Sequence, residues 1–257
     1  MTQTKKMNNS YGIFASVYDL LTENVEYEKR AKYIDNIIKK FGGKENGILL
    51  DLACGTGTLS EIFSGLGYDV IGIDNSPDML SIAMNKKYQS EKNIQYVCQD
   101  MREIDLYGNV DITICALDSL NHLKNFADVK KVFERVYKFT EIDGLFIFDM
   151  NTIYKHQKIL ADNTFVYDTD DVYCVWQNSC EGDTVSIYLD FFMPQDDGSY
   201  ERYSEDFTET AYPIEQVKQA LLETGFEILG IYGDDSFDDV TDTTQRAVFA
   251  VRKNKEK

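Results

Sequence analysis

The chain has 257 residues, of which 43% are hydrophobic and 27% are charged, and its formal net charge at pH 7 is −18. This apolar content can build a core and excludes a globally disordered chain. No apolar run approaches the ~18 residues of a membrane-spanning helix, and the N-terminus lacks the apolar centre of a signal peptide. We therefore expect a cytoplasmic protein without membrane contact.

The acidic charge is concentrated in residues 162–242, which carry 21 Asp or Glu against Arg202 and Lys218. A field of this sign opposes nucleic acid, so no nucleic-acid partner is expected. The simplest interpretation is a solvated acidic surface, and a cationic or amine-bearing substrate is the sharper alternative. The five cysteines contain no CxxC pair, so neither a metal site nor a disulfide framework is predicted. Cysteines within strand-like runs are expected to be small buried apolar residues.

The predicted elements begin with two helices, over residues 11–21 and 27–41, where apolar residues recur at helical spacing. Strands and helices then alternate as far as Asn151. The predicted strands are 48–53, 69–74, 94–99, 110–117 and 144–151, and the predicted helices lie near 57–66, 77–90 and 125–140. Short apolar strands separated by helices indicate a parallel sheet covered on both faces.

After Asn151 the pattern changes to aromatic and β-branched runs broken by Gly-containing turns, which predicts three or four antiparallel strands. A helix near 213–224 and two further strands complete the main sheet. The predicted fold is an α/β, Rossmann-like, doubly wound and mostly parallel seven-stranded sheet with a helical N-terminal cap. We place the cap and the first part of this domain in residues 1–152, a small antiparallel β insertion that forms a substrate lid in 153–212, and the rest in 213–257.

The turn after the first strand, in "LLDLACGTGTL" (49–59), is typical of nucleotide-binding βαβ units. Gly55 and Gly57 let the backbone approach a ligand closely. A dinucleotide site expects Gly or Ala where this chain has Ser60. Asp51 would repel a pyrophosphate and favour a cationic ligand, and Asp74, at the end of the second strand, can accept hydrogen bonds from ribose hydroxyls.

These motifs, with "VIGIDNSPDML" (70–80), "YVCQDMREI" (96–104) and "FDMN" (148–151), resemble those of class I S-adenosylmethionine-dependent methyltransferases. The N-terminal "YGIFASVYDLL" (11–21) is similar to the opening of many small-molecule members of that family. The resemblance spans residues 11 to about 151, and the insertion is similar to that of poorly characterised bacterial members. It implies S-adenosyl-L-methionine as the cofactor and a small-molecule methyl acceptor.

Carried over residue by residue, the resemblance first implies a site for the methionine and ribose portions of the cofactor. The residues that would line the methionine portion are Asp51, Ala53, Gly55 and Gly57. Asp74 would bind the ribose.

The resemblance also implies how the adenine is held. Met79 would pack on one face of the ring, a soft apolar contact. Asp100 would accept from the amino group, and the Met101 backbone N–H would donate to a ring nitrogen. Tyr11 and Tyr18 would come from the N-terminal cap and close over the cofactor.

The candidate catalytic residues follow the fourth strand, in "ALDSLNHL" (116–123). By the resemblance, Leu117 and Asp118 would meet the methyl-bearing end, and Asp118 is expected to position the acceptor or to act as base for an amine. His122 could serve as base for an oxygen nucleophile. Trp176 is a candidate for the substrate pocket. His156 has no predicted role.

Two alternatives remain beside a small-molecule methyltransferase. One is a nicotinamide-dependent oxidoreductase on the same layer plan, which Asp51 and Ser60 argue against. The other is a non-catalytic module that binds S-adenosylmethionine for regulation or assembly. The sequence does not determine the methyl acceptor, its nucleophilic atom or the oligomeric state.

Overall fold

The structure, a computed structural model, describes residues 10–22 and 25–254, except for the side chains of residues 10–13 and 16. The α-helices in this part of the chain are α1 (Ser10–Leu21), α2 (Tyr27–Lys40), α3 (Thr58–Gly65), α4 (Pro77–Ser90), α5 (Phe126–Phe139) and α6 (Ile214–Thr224). The strands are β1 (Ile48–Leu52), β2 (Asp69–Asp74), β3 (Ile94–Cys98), β4 (Val110–Cys115), β5 (Thr140–Asn151), β6 (Thr164–Asp168), β7 (Tyr173–Glu181), β8 (Thr184–Pro194), β9 (Tyr200–Thr210), β10 (Phe226–Gly233) and β11 (Arg246–Lys253). Two short helical turns cover Ser119–His122 and Lys155–Leu160.

The main sheet has seven strands in the order β10-β11-β5-β4-β1-β2-β3. Strands β1 to β5 pair in parallel, and β11 runs antiparallel to both of its neighbours, β5 and β10. The strand order reverses between β1 and β4, and in open α/β sheets ligands bind beyond the carboxyl ends of the strands at such a point. The predicted mostly parallel, doubly wound sheet is confirmed.

Alternating apolar side chains place a core on each face of this sheet. On β1, Leu49 packs in one cluster with α2 and α3, whereas Leu50 and Leu52 pack in the other with α5 and α6. The helices present matching apolar faces, such as Ile34, Ile37 and Ile38 on α2, all buried. Both faces of the central strands are therefore covered, and their carboxyl ends are held in fixed positions.

The antiparallel strands form a separate four-stranded sheet in the order β6-β7-β8-β9, within the residues predicted as an insertion. Its inner face is apolar, with Val185, Ile187 and Phe191 of β8 buried. Phe14 and Val17 of α1 pack against the same cluster. The N-terminal helix and the small sheet thus form one layer over the carboxyl end of the main sheet.

Two expectations from the sequence are wrong in detail. Strand β5 begins at Thr140, which pairs with Val110 of β4, and the polar residues before Leu145 conceal this start in the sequence. Cys98, at the end of β3, is exposed, whereas Cys115 and Cys174 are buried as expected. No helix in the described residues is long and apolar enough to cross a membrane.

Candidate active site

A cavity of about 1140 Å³ lies between the carboxyl ends of β1 to β5 and the layer formed by the small sheet and α1. Eleven residues that the sequence predicts for the site line it: Tyr18, Ala53, Gly55, Asp74, Met79, Asp100, Met101, Leu117, Asp118, His122 and Trp176. Asp51 and Gly57 lie behind its wall, and the side chain of Tyr11 lies outside the described residues. The fold thus brings together residues from most of the chain.

The turn after β1 has the left-handed backbone conformation at Ala53 (φ 60°), Gly55 (φ 54°) and Gly57 (φ 75°). A Cβ on Gly55 would meet nothing within 4 Å, so this glycine leaves open space on the cavity wall. A Cβ on Gly57 would collide with the Tyr96 hydroxyl and lie 2.9 Å from Ala83 Cβ. Gly55 therefore leaves room for a ligand, whereas Gly57 lets α4 and β3 pack closely against the turn.

Asp74 ties the end of β2 to this turn. Its carboxylate accepts hydrogen bonds from the backbone N–H groups of Gly55 and Ser76, both at 2.8 Å. Each carboxylate oxygen keeps lone pairs for a further donor from the cavity. Burial raises the pKa of Asp74, although these two donors favour its charged form.

Asp51 is buried beneath the turn, with 2% of its surface exposed. Ser60 Oγ donates a 2.5 Å hydrogen bond to its carboxylate, which explains why serine replaces the small residue of a dinucleotide site. Burial raises the pKa of Asp51 to about 6, against the opposing effect of Ser60. Asp51 therefore does not touch the cavity, and only its charge could reach a ligand there.

Asp100 follows β3 and is held by its neighbour Arg102. The Arg102 guanidinium donates to both carboxylate oxygens, at 2.9 and 2.5 Å, and the Arg102 backbone N–H donates at 2.8 Å. These bonds hold the pKa of Asp100 below its ordinary value. Met79 and Met101 also line the cavity and add apolar surface, among polar neighbours that include Gln99 and Asp128.

The segment after β4 is strained. Leu117 (φ 61°) and Asp118 (φ 52°) are consecutive non-glycine residues in the left-handed conformation, which costs about 1–3 kcal/mol each. The buried Asp149 carboxylate, on β5, compensates by accepting from the backbone N–H of Leu117 at 2.9 Å and of Asp118 at 2.7 Å. Such strain is typical of functional sites.

The Asp118 carboxylate pairs with Arg246, the first residue of β11, at 2.6 Å. The same guanidinium pairs with Asp149, and Asp149 also lies 3.4 Å from Arg30 of α2. Burial alone would raise the pKa of Asp118, but the charges of Arg246 and Lys155 outweigh it and hold that pKa well below its ordinary value. Such a carboxylate is a weak base, which favours the positioning role for Asp118 over the base role.

His122 lies on the short helical turn after Asp118, and its side chain is 46% exposed, on the cavity wall. Its Nε2 lies 3.9 Å from Glu209 Oε1 of β9, and its ring packs 5.2 Å from that of Phe207. Trp176, also on the wall, donates to Asn178 and packs edge-on against Phe165. The predicted base and the predicted substrate residue therefore both lie at the small-sheet side of the cavity.

Hydrogen bonds and an ion pair connect helix α1 to the turn after β1 and to α4. Asp19 accepts from Thr56 Oγ1 at 2.7 Å and from Thr58 Oγ1 at 3.2 Å, and it pairs with Lys86 at 2.6 Å. Burial holds the pKa of Tyr18 well above its ordinary value. This network keeps Tyr18 on the cavity wall.

Sequence reasoning missed four residues of this site: Asp19, Asp149, Glu209 and Arg246. Asp149 lies in the quoted "FDMN", at the carboxyl end of a parallel strand, and that position was an available signal. The other three acquire their roles only when distant elements meet. Nothing in the local sequence of Glu209 and Arg246 distinguishes them from surface charges, whereas Asp19 lies in the quoted "YGIFASVYDLL".

Comparison with known proteins identifies the family. Residues 49–144 match the family described as "Methyltransferase domain". YqeM of Bacillus subtilis (strain 168), which has a provisional methyltransferase name, is 32% identical over 247 residues, covering 95% of this chain and 98% of that one. The crystal structure of an S-adenosylmethionine-dependent methyltransferase from Clostridium acetobutylicum ATCC 824 is 33% identical, with a TM-score of 0.86, covering 95% of this chain and 99% of that one.

A more distant relative has a named acceptor. Glycine/sarcosine N-methyltransferase of Aphanothece halophytica is 25% identical over 226 residues, covering 84% of this chain and 78% of that protein. The near relatives match almost from end to end, and the cavity lies beyond the carboxyl ends of the strands at the switch point, where open α/β sheets bind ligands. The chain belongs to the S-adenosylmethionine-dependent methyltransferases.

Proposed function

We propose that the cavity transfers a methyl group to a small-molecule acceptor, with the cofactor at the β1–β3 side and the acceptor at the β4–β5 side. The volume of about 1140 Å³ exceeds the ~300–1000 Å³ typical of one small-molecule site, which leaves room for both. A small acceptor also agrees with the acidic residues 162–242, which oppose nucleic acid, and with the relative named for glycine and sarcosine. The proposal depends above all on Asp74, whose carboxylate joins the end of β2 to the turn after β1.

The residues of the β1–β3 side suit S-adenosylmethionine. The open space at Gly55 and the left-handed backbone at Ala53 admit its methionine portion, and the charge of Asp51 beneath attracts a cation. The Asp74 oxygens can accept from ribose hydroxyls. Gly57 supports the turn without lining the cavity.

For the adenine, Met79 offers an apolar face, and Asp100 with the Met101 backbone N–H offers an acceptor and a donor. Arg102 keeps the Asp100 carboxylate charged and in place. Tyr18, held by the Asp19 network, closes this side.

S-adenosylmethionine supplies a methyl group that is already activated, so the chain mainly aligns the acceptor and excludes water. Leu117 and Asp118, fixed by Asp149 and Arg246, position the acceptor beside the donor. His122 takes the proton that the acceptor releases. The small sheet and α1 exclude water from the cavity.

Titration of the purified protein with S-adenosylhomocysteine and with NADH tests this function. We expect micromolar or tighter binding of S-adenosylhomocysteine and much weaker binding of NADH, because Asp51 repels a pyrophosphate. Tight binding of NADH alone would support the oxidoreductase alternative. Tight S-adenosylhomocysteine binding without labelled methyl transfer to amines, carboxylates, phenols or cell extracts would support the non-catalytic module.

A further inference from the structure

The inner face of β9 carries two buried glutamates. Glu205 and Glu209 are only 7% and 5% exposed, and both line the cavity with Phe207 between them. Most acids of residues 162–242 are exposed, in agreement with the expected solvated surface, and these two are the buried exceptions. Their cross-strand neighbours on β8, Leu189 and Val185, are apolar and buried. A buried carboxylate on the cavity wall, such as that of Glu209, can bind a ligand that gains from its charge.

Glu209 lies between the only two histidines of the sequence. His122 Nε2 is 3.9 Å from Oε1, and His156 Nε2 is 3.7 Å from Oε2, while Asn151 Nδ2 donates to Oε2 at 3.2 Å. His156 is fully buried and its Nδ1 lies 2.9 Å from the Asp183 carbonyl, so Nδ1 carries a proton. Its Nε2 has no hydrogen-bond partner among the described residues. A single carboxylate thus organises both imidazoles.

The position of Glu209 in the cavity is fixed by Asn121. The Asn121 amide donates to the carbonyls of Thr210 and Asn151, at 3.0 and 3.1 Å, and accepts from the Asn151 N–H at 2.9 Å. These bonds attach the end of β9 to the end of β5. Because the sheet order places β4 and β5 on the other side of β1 from β2 and β3, Glu209 lies on the side that we assign to the acceptor.

The cations near this end are shared among several acids, since Lys155 interacts with Asp118 and Asp149 as well as with Glu209. Arg246 is already shared by Asp118 and Asp149, and Lys155 donates to Asn151 Oδ1 at 2.9 Å. Burial lowers the pKa of Lys155. An anionic acceptor would therefore meet carboxylates, whereas an ammonium group would gain charge-assisted hydrogen bonds.

We propose that the methyl acceptor is an amine with an apolar, ring-sized body, its nitrogen bound at Glu209 and its body against Phe207 and Trp176. This inference rests on the proposed function. One proton of the ammonium passes to His122. The nitrogen lone pair then forms the bond to the methyl carbon, the carbon–sulfur bond breaks with its electron pair left on sulfur, and the product remains an ammonium ion.

Calorimetric binding of three matched probes to the protein loaded with S-adenosylhomocysteine tests the inference: 2-phenylethylamine, 2-phenylethanol and 3-phenylpropionate. We expect the amine to bind at least tenfold more tightly than the alcohol, and the carboxylate to bind most weakly. E209Q should reduce the preference for the amine about tenfold, whereas E201Q, on an exposed position of the same strand, should retain it.

An amine that binds no better than the alcohol, or not at all, would overturn the inference, as would a preference that survives unchanged in E209Q. The wild-type comparison needs no variant, so misfolding of a variant cannot hide the answer. The same samples report S-adenosylhomocysteine affinity. If that affinity persists without an amine preference, only this inference fails; if it is absent, the proposed function fails.

Discussion

Arg246 joins Asp118 to Asp149 through one buried guanidinium, 2.6 Å from Asp118 Oδ1 and also paired with Asp149. Asp149 in turn holds the strained backbone of Leu117 and Asp118. Strand β11, the last strand along the chain, therefore fixes the segment that we assign to the methyl-bearing end of the cofactor. A change at Arg246 acts on both the stability and the geometry of the site.

Replacing Arg246 with glutamine should lower the free energy of unfolding by about 3 kcal/mol, because the change leaves the buried Asp149 and the partly buried Asp118 without their shared counter-charge. Urea unfolding of wild type and variant measures this loss. The matched control is Arg202→Gln, which breaks an exposed bidentate pair with Asp190 and should cost no more than about 1 kcal/mol. Equal losses in the two variants would show that the Arg246 network contributes no more to stability than the exposed Arg202–Asp190 pair does.

Replacing Asp74 with asparagine should weaken binding of S-adenosylhomocysteine by about 1–3 kcal/mol, because the amide N–H replaces an acceptor oxygen that the backbone and the ribose both need. Calorimetric titration measures the change. Asp69→Asn, at the exposed start of the same strand, is the control and should bind as wild type does. Unchanged affinity in Asp74→Asn would mean that the ribose lies elsewhere.

The buried Asp51 should make stability depend on pH. Its pKa is raised to about 6 in the folded chain from an ordinary value of 3.8, so between these values the folded state binds a proton that the unfolded state does not. As the pH falls below about 6, the folded chain takes up this proton and the cost of the buried charge is relieved. At about 1.4 kcal/mol per pKa unit, the relief reaches about 3 kcal/mol only near pH 4.

Unfolding of wild type and Asp51→Asn at pH 5 and pH 7 isolates this effect, because all other groups cancel in the difference. From pH 7 to pH 5, the free energy of unfolding of wild type should rise relative to that of the variant. Binding of S-adenosylmethionine to wild type should weaken over the same change, as the attracting charge is lost. The Asp69→Asn difference should be the same at both values. A flat difference for Asp51→Asn would contradict the raised pKa.

The Asp19–Lys86 pair should hold α1 against the cofactor side of the cavity. Replacing Lys86 with alanine removes a partly exposed ion pair worth no more than about 1 kcal/mol, so amide exchange in residues 14–22 should accelerate by roughly fivefold or less. Hydrogen exchange with mass spectrometry measures this opening. Lys87→Ala, on the neighbouring position of α4, should leave exchange unchanged. Acceleration in both variants would show that the Asp19–Lys86 pair does not specifically hold α1.

The sequence allowed the main sheet and the turn after β1 to be predicted because both depend on local patterns. The apolar run of β1 and the glycines at positions 55 and 57 carry their structural meaning within a few residues. The start of β5 was missed because pairing of Thr140 with Val110, rather than hydrophobicity, sets it.

The acceptor side could not be predicted in the same way. Glu205 and Glu209 stand among many acids, and only the register of β9 against β8 turns them inward. Arg246 gains its role where β11 pairs with β5, which brings it next to Asp149 and the end of β4. These roles belong to tertiary contacts between distant segments.

A crystal structure with S-adenosylhomocysteine is the most direct test of the two-sided cavity. We predict ribose hydroxyls on Asp74, the adenine beside Asp100, and the sulfur facing Leu117 and Asp118, with open volume between the sulfur and Glu209. A cofactor bound in the reverse direction, with its adenine at Glu209 and Trp176, would contradict the account.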